Sequence, residues 1–179
     1  NNIMPRILPL QEFPEELRAA HEHHKAAYKG RITNMKATMS RSLPVFDTYM
    51  MWYPLYKEVK KITGERSAYL FAYAVSSGSS CPLCTTYFRK LIIDNGEKPE
   101  DLKLTNKDQE LIDFGSAIAQ NKGYIGDEVY EPIKKMFSET EIVILVAFAG
   151  QMIATNIFNN VLEVEIDEYL TPYIKTTQQ

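Results

Sequence analysis

Apolar residues recur at helical spacing along nearly the whole chain, and this periodicity constrains the fold more than any other feature of the sequence. In residues 42–59, Leu43, Phe46 and Met50 lie three or four positions apart, as on one face of a helix. Pro54 predicts a break between two shorter helices in the same segment. No alternation of apolar and polar residues persists long enough to indicate a strand. The sequence therefore predicts an all-α fold.

Capping residues and turn formers divide this periodicity into separate helices. Pro14, followed by two glutamates, is typical of a first helical turn, and that helix is expected to reach Tyr28. Residues 30–34, which begin with glycine, are predicted to form a loop. Thr105 is a candidate N-cap, and Ser138-Glu139-Thr140-Glu141 has the form of a capping box. Each of these signals predicts the boundary of a helix.

Two helical segments, residues 68–75 and 142–162, are apolar on nearly every face. The second is long enough to suggest a membrane span, but Gln151, Thr155 and Asn156 interrupt it. We therefore expect a buried core helix or a helix at a subunit interface, and no association with a membrane. Two such helices give a small domain an excess of apolar surface, so the chain is also expected to be an obligate homo-oligomer.

Length, composition and charge narrow the class of protein. A chain of 179 residues with 45% hydrophobic residues suits one folded domain over residues 1–179 and excludes a disordered chain. The net charge of −3 argues against a dedicated nucleic-acid binder, and two cysteines are too few for a disulfide-stapled scaffold. Residues 1–11 lack the apolar stretch of a signal peptide. We therefore expect a cytoplasmic protein that binds no nucleic acid.

Both cysteines belong to one C-x-x-C motif, Cys81-Pro82-Leu83-Cys84, which we expect at the start of a helix capped by Ser80. Two cysteines on one turn are close enough to form a disulfide. The free N–H groups of the first turn favour thiolate, and they act more strongly on Cys81 than on Cys84. The motif therefore predicts a redox-active pair. The alternatives are two buried small residues, or half of a metal site completed by another subunit.

All three histidines, His21, His23 and His24, lie far from the cysteines in one helix. A single cysteine pair cannot supply the four ligands of a structural zinc site, so we expect neither a metal nor another cofactor. His21 and His24 share a helical face and would also suit a metal ion. Arg18 and Lys25 beside them favour a solvated helix face instead.

Three stretches of the chain carry a resemblance to a known family. The first is Met4-Pro5-Arg6-Ile7 with the later Gly30-Arg31-Ile32-Thr33-Asn34-Met35, and the second is the apolar helix, serine-rich turn and cysteine motif. The third is the run that includes Leu104-Thr105-Asn106-Lys107-Asp108, Phe114-Gly115-Ser116-Ala117-Ile118-Ala119 and Phe137-Ser138-Glu139-Thr140-Glu141-Ile142-Val143. In these residues the chain resembles the alkylhydroperoxidase D-like, carboxymuconolactone decarboxylase superfamily. The resemblance implies an all-α helical bundle with a core at residues 63–179 and an N-terminal helical extension at residues 1–62. Family members are commonly trimers or hexamers, which implies a homo-oligomer here.

The same resemblance implies roles for individual residues. In peroxidase members the second cysteine attacks the peroxide, the first resolves the sulfenic acid to a disulfide, and a glutamate and a histidine relay protons. Cys84 would then be the attacking thiol and Cys81 the resolving one. Phe88 and Tyr69 stand at the two relay positions, and Glu65, one helical turn before Tyr69, is the candidate replacement for the acid. Tyr69 and Glu65 are therefore candidate catalytic residues together with the pair.

These observations predict a thiol-dependent oxidoreductase of the alkylhydroperoxidase type, which reduces hydroperoxides or exchanges disulfides. The expected partners are a small hydroperoxide or thiol/disulfide substrate, a protein reductant and further copies of the chain. Because the relay residues are absent, a catalytically degenerate member that serves in binding or assembly is one alternative. A non-redox lyase of the carboxymuconolactone decarboxylase type is the other.

Three further groups of side chains stand out in the sequence. Two of these groups have two interpretations each, and the third has one predicted role. The aromatic residues and methionines of residues 49–56, around Trp52, either line a hydrophobic substrate pocket near the cysteines or belong to the core. Tyr69 and Tyr87 either donate a hydrogen bond to a thiolate or peroxide oxygen or pack in the core. The asparagines at positions 156, 159 and 160 are expected in contacts between subunits.

Overall fold

The computed structural model describes residues 4–176 and is helical throughout, with nine α-helices, one short 3₁₀ helix and no strand in that range. The predicted all-α fold is thereby confirmed. The elements are α1 (Glu15–Tyr28), α2 (Asn34–Met39), α3 (Leu43–Met50), α4 (Trp52–Thr63), α5 (Glu65–Gly78), α6 (Pro82–Asp94), α7 (Asn106–Gln120), α8 (Asp127–Met136), α9 (Glu139–Leu162) and the 3₁₀ helix Glu168–Tyr173.

The main core lies between α5, α7 and α9, and it is built from large side chains that solvent does not reach. Phe71, Phe114 and Phe148 come from these three helices and are fully buried. The ring centroid of Phe71 lies 6.2 Å from that of Phe114 and 6.1 Å from that of Phe148. Gly115 allows α7 to approach α5, because a Cβ at that position would lie 3.0 Å from the side chains of Phe71 and Val75. This close approach fixes the position of α5, whose end leads into the cysteine motif.

Helix α9 has one buried face and one open face. It is the one helix among the described residues that is long and apolar enough to cross a membrane. Leu145, Phe148 and Met152 nevertheless pack into the main core. The opposite face exposes an apolar stripe at helical spacing, formed by Val143, Val146, Ile157 and Val161. The expectation of a buried core helix is confirmed for the inner face.

The predicted capping box at Ser138 is present, and the predicted N-cap Thr105 forms a second capping box that ties α5 to α7. Thr105 and Asp108 exchange hydrogen bonds at the start of α7, and Ser138 and Glu141 do so at the start of α9. The buried carboxylate of Asp108 also accepts hydrogen bonds from Ser67 Oγ at 2.6 Å and from Arg66 Nη1 at 2.7 Å. Burial alone would raise the pKa of Asp108, but these hydrogen bonds together hold it below its ordinary value.

Two boundaries differ from the sequence-based prediction. Residues 30–34 were predicted to form a loop, but Asn34 already begins α2, because Thr33 caps this short helix and the distant carboxylate of Asp167 accepts the Asn34 N–H at 2.8 Å. The serine-rich segment was predicted to break the helix at residue 76, but α5 continues to Gly78. Ser76 is fully buried there and accepts a hydrogen bond from Asn156 at 3.3 Å.

Candidate active site at the cysteine pair

Cys81 takes part both in the C-terminal motif of α5 and in the start of α6. At the end of α5, Ser80 adopts a left-handed conformation, its N–H donates to Ser77, and the N–H of Cys81 donates to the carbonyl of Ser76 at 3.1 Å. This is the hydrogen-bond pattern of a Schellman motif. Cys81, not Ser80 as predicted, is then the N-cap of α6, and its sulfur accepts the N–H of Cys84 at 3.2 Å. Ser80 cannot cap α6 because its backbone is used to terminate α5.

The two cysteines are joined in a disulfide, with Cα atoms 5.3 Å apart, but their surroundings differ. Cys81 is 0% exposed, whereas Cys84 is 7% exposed and lines a cavity. The side-chain amide of Asn159, on α9, donates to Cys84 Sγ at 3.3 Å. Cys84 is therefore the sulfur that a small molecule can reach, and Asn159 is placed to stabilise a thiolate on it.

The cavity beside Cys84 has a volume of about 310 Å³ and is bounded by segments that are far apart in sequence. One wall is α6 with part of α9, and the other comes from residues 28–53 and from the C-terminal 3₁₀ segment. Its aromatic lining consists of Tyr28, Tyr49, Trp52, Tyr53, Tyr87, Phe88 and Tyr169.

The aromatic residues and methionines of residues 49–56 are divided between the cavity, the core and the surface. Trp52 and Tyr53 line the cavity near the cysteines together with Tyr49. Tyr56 belongs instead to the main core, and Met51 is exposed. The cluster therefore contributes both to a cavity and to the core, because α3 and α4 turn different faces towards each.

Charged groups lie among these aromatic rings. Lys36 is only 3% exposed, and its ammonium group donates to the carbonyl of Arg31 at 2.9 Å. Burial lowers the pKa of Lys36 to about 8, an effect that the charge of Asp167 partly opposes. Burial raises the pKa of Asp167, which is the one carboxylate among the cavity residues within the described part of the chain. The guanidinium of Arg31 stacks on Tyr169, 3.8 Å from its ring centroid.

The structure brings Tyr87 to the cavity but does not bring Tyr69 or Glu65 to the cysteines of the same chain. Tyr87 lines the cavity, and burial raises the pKa of its hydroxyl, which therefore remains a proton-bearing donor. Glu65 is exposed in the first turn of α5, and Tyr69 is buried in the main core one turn later. The cysteine motif follows the other end of this helix of 14 residues, which is about 20 Å long.

The histidines of α1 differ from the predicted solvated face. His21 and His24 are 3% and 2% exposed, and His21 Nε2 lies 2.7 Å from Ser40 Oγ. Both histidines share the buried side of α1 with Leu17, at a spacing of four and seven residues that could have indicated their burial. Burial lowers the pKa of His24 to about 4, with smaller contributions from neighbouring cations. Within residues 4–176, no group of three or more His, Cys, Asp or Glu side chains is placed to hold a metal ion.

The asparagines of α9, for which contacts between subunits were predicted, make contacts within the chain. Asn159 reaches Cys84, Asn156 reaches Ser76, and the Asn160 amide donates to the carbonyl of Ser79 at 3.0 Å. All three therefore hold the segment that carries the cysteine pair. Asn159, Lys36, Asp167 and Tyr169 are among the site residues that the sequence alone did not identify.

Comparison with known proteins shows similarity in structure only. No family model matches the chain, and no curated protein is significantly similar in sequence. The debrominase Bmp8, as a cysteine-to-alanine variant in complex with 2,3,4-tribromopyrrole, superposes with a TM-score of 0.77 at 13% identity over 97% of both chains. The apo form of Bmp8 gives 0.71 at 13% identity, over 97% of this chain and 96% of that one. An uncharacterized peroxidase-related protein from Silicibacter sp. TM1040 gives 0.68 at 15% identity over 90% of both chains. The chain thus shares the fold of these proteins, which is consistent with the alkylhydroperoxidase D-like bundle expected from the sequence.

Proposed function

We propose that this protein is a thiol-dependent oxidoreductase in which Cys84 attacks a substrate in the cavity and Cys81 then closes a disulfide. The proposal depends mainly on the asymmetry of the pair: Cys84 lines the cavity, whereas Cys81 is fully buried behind it. Since the two sulfurs are within bonding reach, the second step needs no movement of the helices.

With a hydroperoxide, both steps balance. The Cys84 thiolate attacks the distal oxygen, the O–O bond breaks, and the alkoxide takes up a proton and leaves as an alcohol. Cys84 is then a sulfenic acid. The Cys81 thiol attacks its sulfur, water leaves, and the disulfide forms. Two thiols are oxidised for each hydroperoxide reduced, and an external thiol or a protein reductant must restore them.

Stabilisation of the thiolate replaces part of what a proton relay would supply. The Asn159 amide lies 3.3 Å from Cys84 Sγ, and the cysteine motif occupies the first turn of α6. Hydrogen bonds and the helix dipole both favour negative charge on sulfur. The position four residues after Cys84 holds Phe88, which is buried and apolar, so no base acts from there. The proton for the leaving alkoxide then comes from another donor in the cavity, for which the Tyr87 hydroxyl is the candidate.

A reduced sample treated with one equivalent of cumene hydroperoxide tests this proposal. Two free thiols should disappear together in the unmodified protein. Cys81→Ser should stop after the first step and accumulate a sulfenic acid at Cys84, which dimedone would trap and mass spectrometry would locate. Cys84→Ser should leave the hydroperoxide unreacted. If Cys81→Ser collects no dimedone adduct while its Cys84 remains accessible to iodoacetamide, the proposed order of attack is wrong.

Reductive removal of bromide is a second candidate, favoured by the aromatic lining of the cavity and by the fold shared with a debrominase. Two thiols and a carbon–bromine bond would give a carbon–hydrogen bond, a disulfide, bromide and a proton. The electrons again come from the cysteine pair. Bromide released from 2,3,4-tribromopyrrole by the reduced protein, measured by ion chromatography, would distinguish this reaction from peroxide reduction.

Two other hypotheses predict different results in the same assays. A binding or assembly protein without catalysis would consume hydroperoxide no faster than dithiothreitol alone. A lactone decarboxylase would act on carboxymuconolactone equally well after Cys84→Ser. We further propose a homo-oligomer, trimer or hexamer, because the apolar stripe Val143, Val146, Ile157 and Val161 lies open on α9.

A further inference from the structure

Lys36 is a buried cation with unused hydrogen-bonding capacity at the cavity. Its ammonium group carries three N–H donors, of which one is used by the carbonyl of Arg31. The Tyr53 ring lies nearby, with its centroid 4.9 Å from Lys36 Nζ. Within residues 4–176 no carboxylate comes within 4.0 Å of this nitrogen. A buried charge without a close counter-ion is unfavourable, and an anion bound in the cavity would relieve that cost.

Asp167 does not take the place of such an anion. Its carboxylate accepts the N–H of Asn34 at 2.8 Å and so serves the start of α2. It acts on Lys36 through space, without an ion pair. Because the pKa of Lys36 is about 8, the side chain remains mostly protonated at neutral pH and keeps its attraction for anions.

The backbone around Lys36 is shaped to leave room for the ammonium group. A Cβ at Gly30 would lie 3.0 Å from Lys36 Nζ and 2.6 Å from His24 Nε2. The absence of a side chain at this position therefore lets both groups occupy the space beneath the cavity. His24 makes no hydrogen bond to Lys36, and because burial keeps it neutral above pH 4 it does not compete with Lys36 as a second cation for an anion.

We propose that the cavity binds single-ring aromatic molecules that carry an ionised acidic group, with that group on the Lys36 ammonium and the ring against Trp52 and Tyr53. The volume of about 310 Å³ lies at the small end of ligand sites and suits one ring with its substituents. The aromatic walls supply stacking surfaces, and Lys36 supplies the single buried cation. This inference rests on the proposed thiol function, because Cys84 opens on the same cavity and such a molecule would be its substrate.

Trp52 is the one tryptophan of the chain, so its fluorescence reports directly on this cavity. We would titrate the disulfide form, which cannot react, with 4-nitrobenzoate and with its neutral analogue 4-nitrobenzamide at pH 7. Both nitroaromatic rings quench tryptophan when they bind beside it. The unmodified protein should bind the benzoate about tenfold more tightly, since a hydrogen bond between charged groups contributes about one factor of ten.

Lys36→Met should bind the two probes equally, with its affinity for 4-nitrobenzamide unchanged. Lys25→Met, which removes the same charge from an exposed position of α1, should keep the tenfold preference. If Lys36→Met does not fold, Lys36→Gln replaces it. Equal binding of the two probes by the unmodified protein, or a preference that survives loss of Lys36, would overturn the inference. Because no thiol takes part, this outcome is independent of whether Cys84 proves reactive towards hydroperoxide.

Discussion

The contact between Asn159 and Cys84 leads to a quantitative prediction about thiol reactivity. Replacing Asn159 by Leu keeps the approximate volume of the side chain and removes the amide that donates to Cys84 Sγ at 3.3 Å. A hydrogen bond to a charged group contributes about 1.5–3 kcal/mol. Because sulfur is a weak acceptor, we take the lower limit, which lowers the thiolate fraction at neutral pH about tenfold.

The measured effect on rate should be smaller than the effect on the thiolate fraction. A less stabilised thiolate is also a stronger nucleophile, and this offsets roughly half of the change on a logarithmic scale. Alkylation of Cys84 by iodoacetamide at pH 7 should therefore slow about threefold in Asn159→Leu. The assay is best performed in a Cys81→Ser background, where Cys84 is the sole thiol and no disulfide can form.

Asn156→Leu is the matched control, because Asn156 is equally buried one turn earlier and donates to Ser76 rather than to sulfur. It should cost stability without slowing alkylation. The thiolate absorbance in the ultraviolet, followed across a pH series, gives an independent reading of the same quantity. The reasoning would be refuted if Asn159→Leu reacted as fast as the parent, or if Asn156→Leu slowed the reaction to the same extent.

Three further predictions concern stability and assembly. His24 is neutral in the folded protein down to about pH 4, but it titrates near pH 6.5 in the unfolded chain. Its contribution to the free energy of unfolding is therefore present above pH 6.5 and is lost as the pH falls towards 4. The free energy of unfolding from urea titrations should therefore fall about 3 kcal/mol less over this range in His24→Phe than in the parent, and parallel curves would contradict this. Asp108→Asn should lower the free energy of unfolding at pH 7 by about 3 kcal/mol, because Arg66 and Ser67 lose a buried partner. Since the pKa of Asp108 is depressed, this difference should narrow as pH falls below about 3.8, and a constant difference would count against the carboxylate as its cause. Val146→Glu should dissociate the proposed oligomer in light-scattering measurements, whereas an unchanged mass would place the interface elsewhere.

The helices were predictable wherever a local signal decides the boundary. Ser138 and Glu141 form a capping box where the sequence indicated one, and Thr105 is the N-cap of α7 as predicted, with Asp108 completing a second capping box. The placement of the cysteine motif at the start of a helix was predictable for the same reason. Such features depend mainly on neighbours in the chain.

The features that were not predictable depend on contacts between distant parts of the chain. Asn159 lies 75 residues from Cys84, and only the packing of α9 against α6 decides which asparagine faces the sulfur. Ser80 has the composition of an N-cap, yet the burial of Ser76 extends α5 and gives the cap to Cys81. A lysine is ordinarily a surface residue, and the buried position of Lys36 depends on Gly30, where the absence of a Cβ leaves the ammonium group room beside His24.

The cavity combines a short part that carries the cysteine pair with a longer lining drawn from distant segments of the chain. The reactive part is short and tightly fixed: Cys81 and Cys84 at the junction of α5 and α6, with Asn159 on α9. The rest of the lining comes from residues 28–53 and from the segment around Tyr169, and it meets the site of the cysteine pair at Met35, whose Sδ lies 3.3 Å from the amide nitrogen of Asn159. Substitutions in that lining away from Met35 can therefore alter which molecules reach Cys84 while the cysteine pair and its contact with Asn159 are kept. Proteins with this arrangement around a cysteine pair can thus differ in the molecules that they admit, and the same lining is the place to begin when that selectivity is to be changed by design.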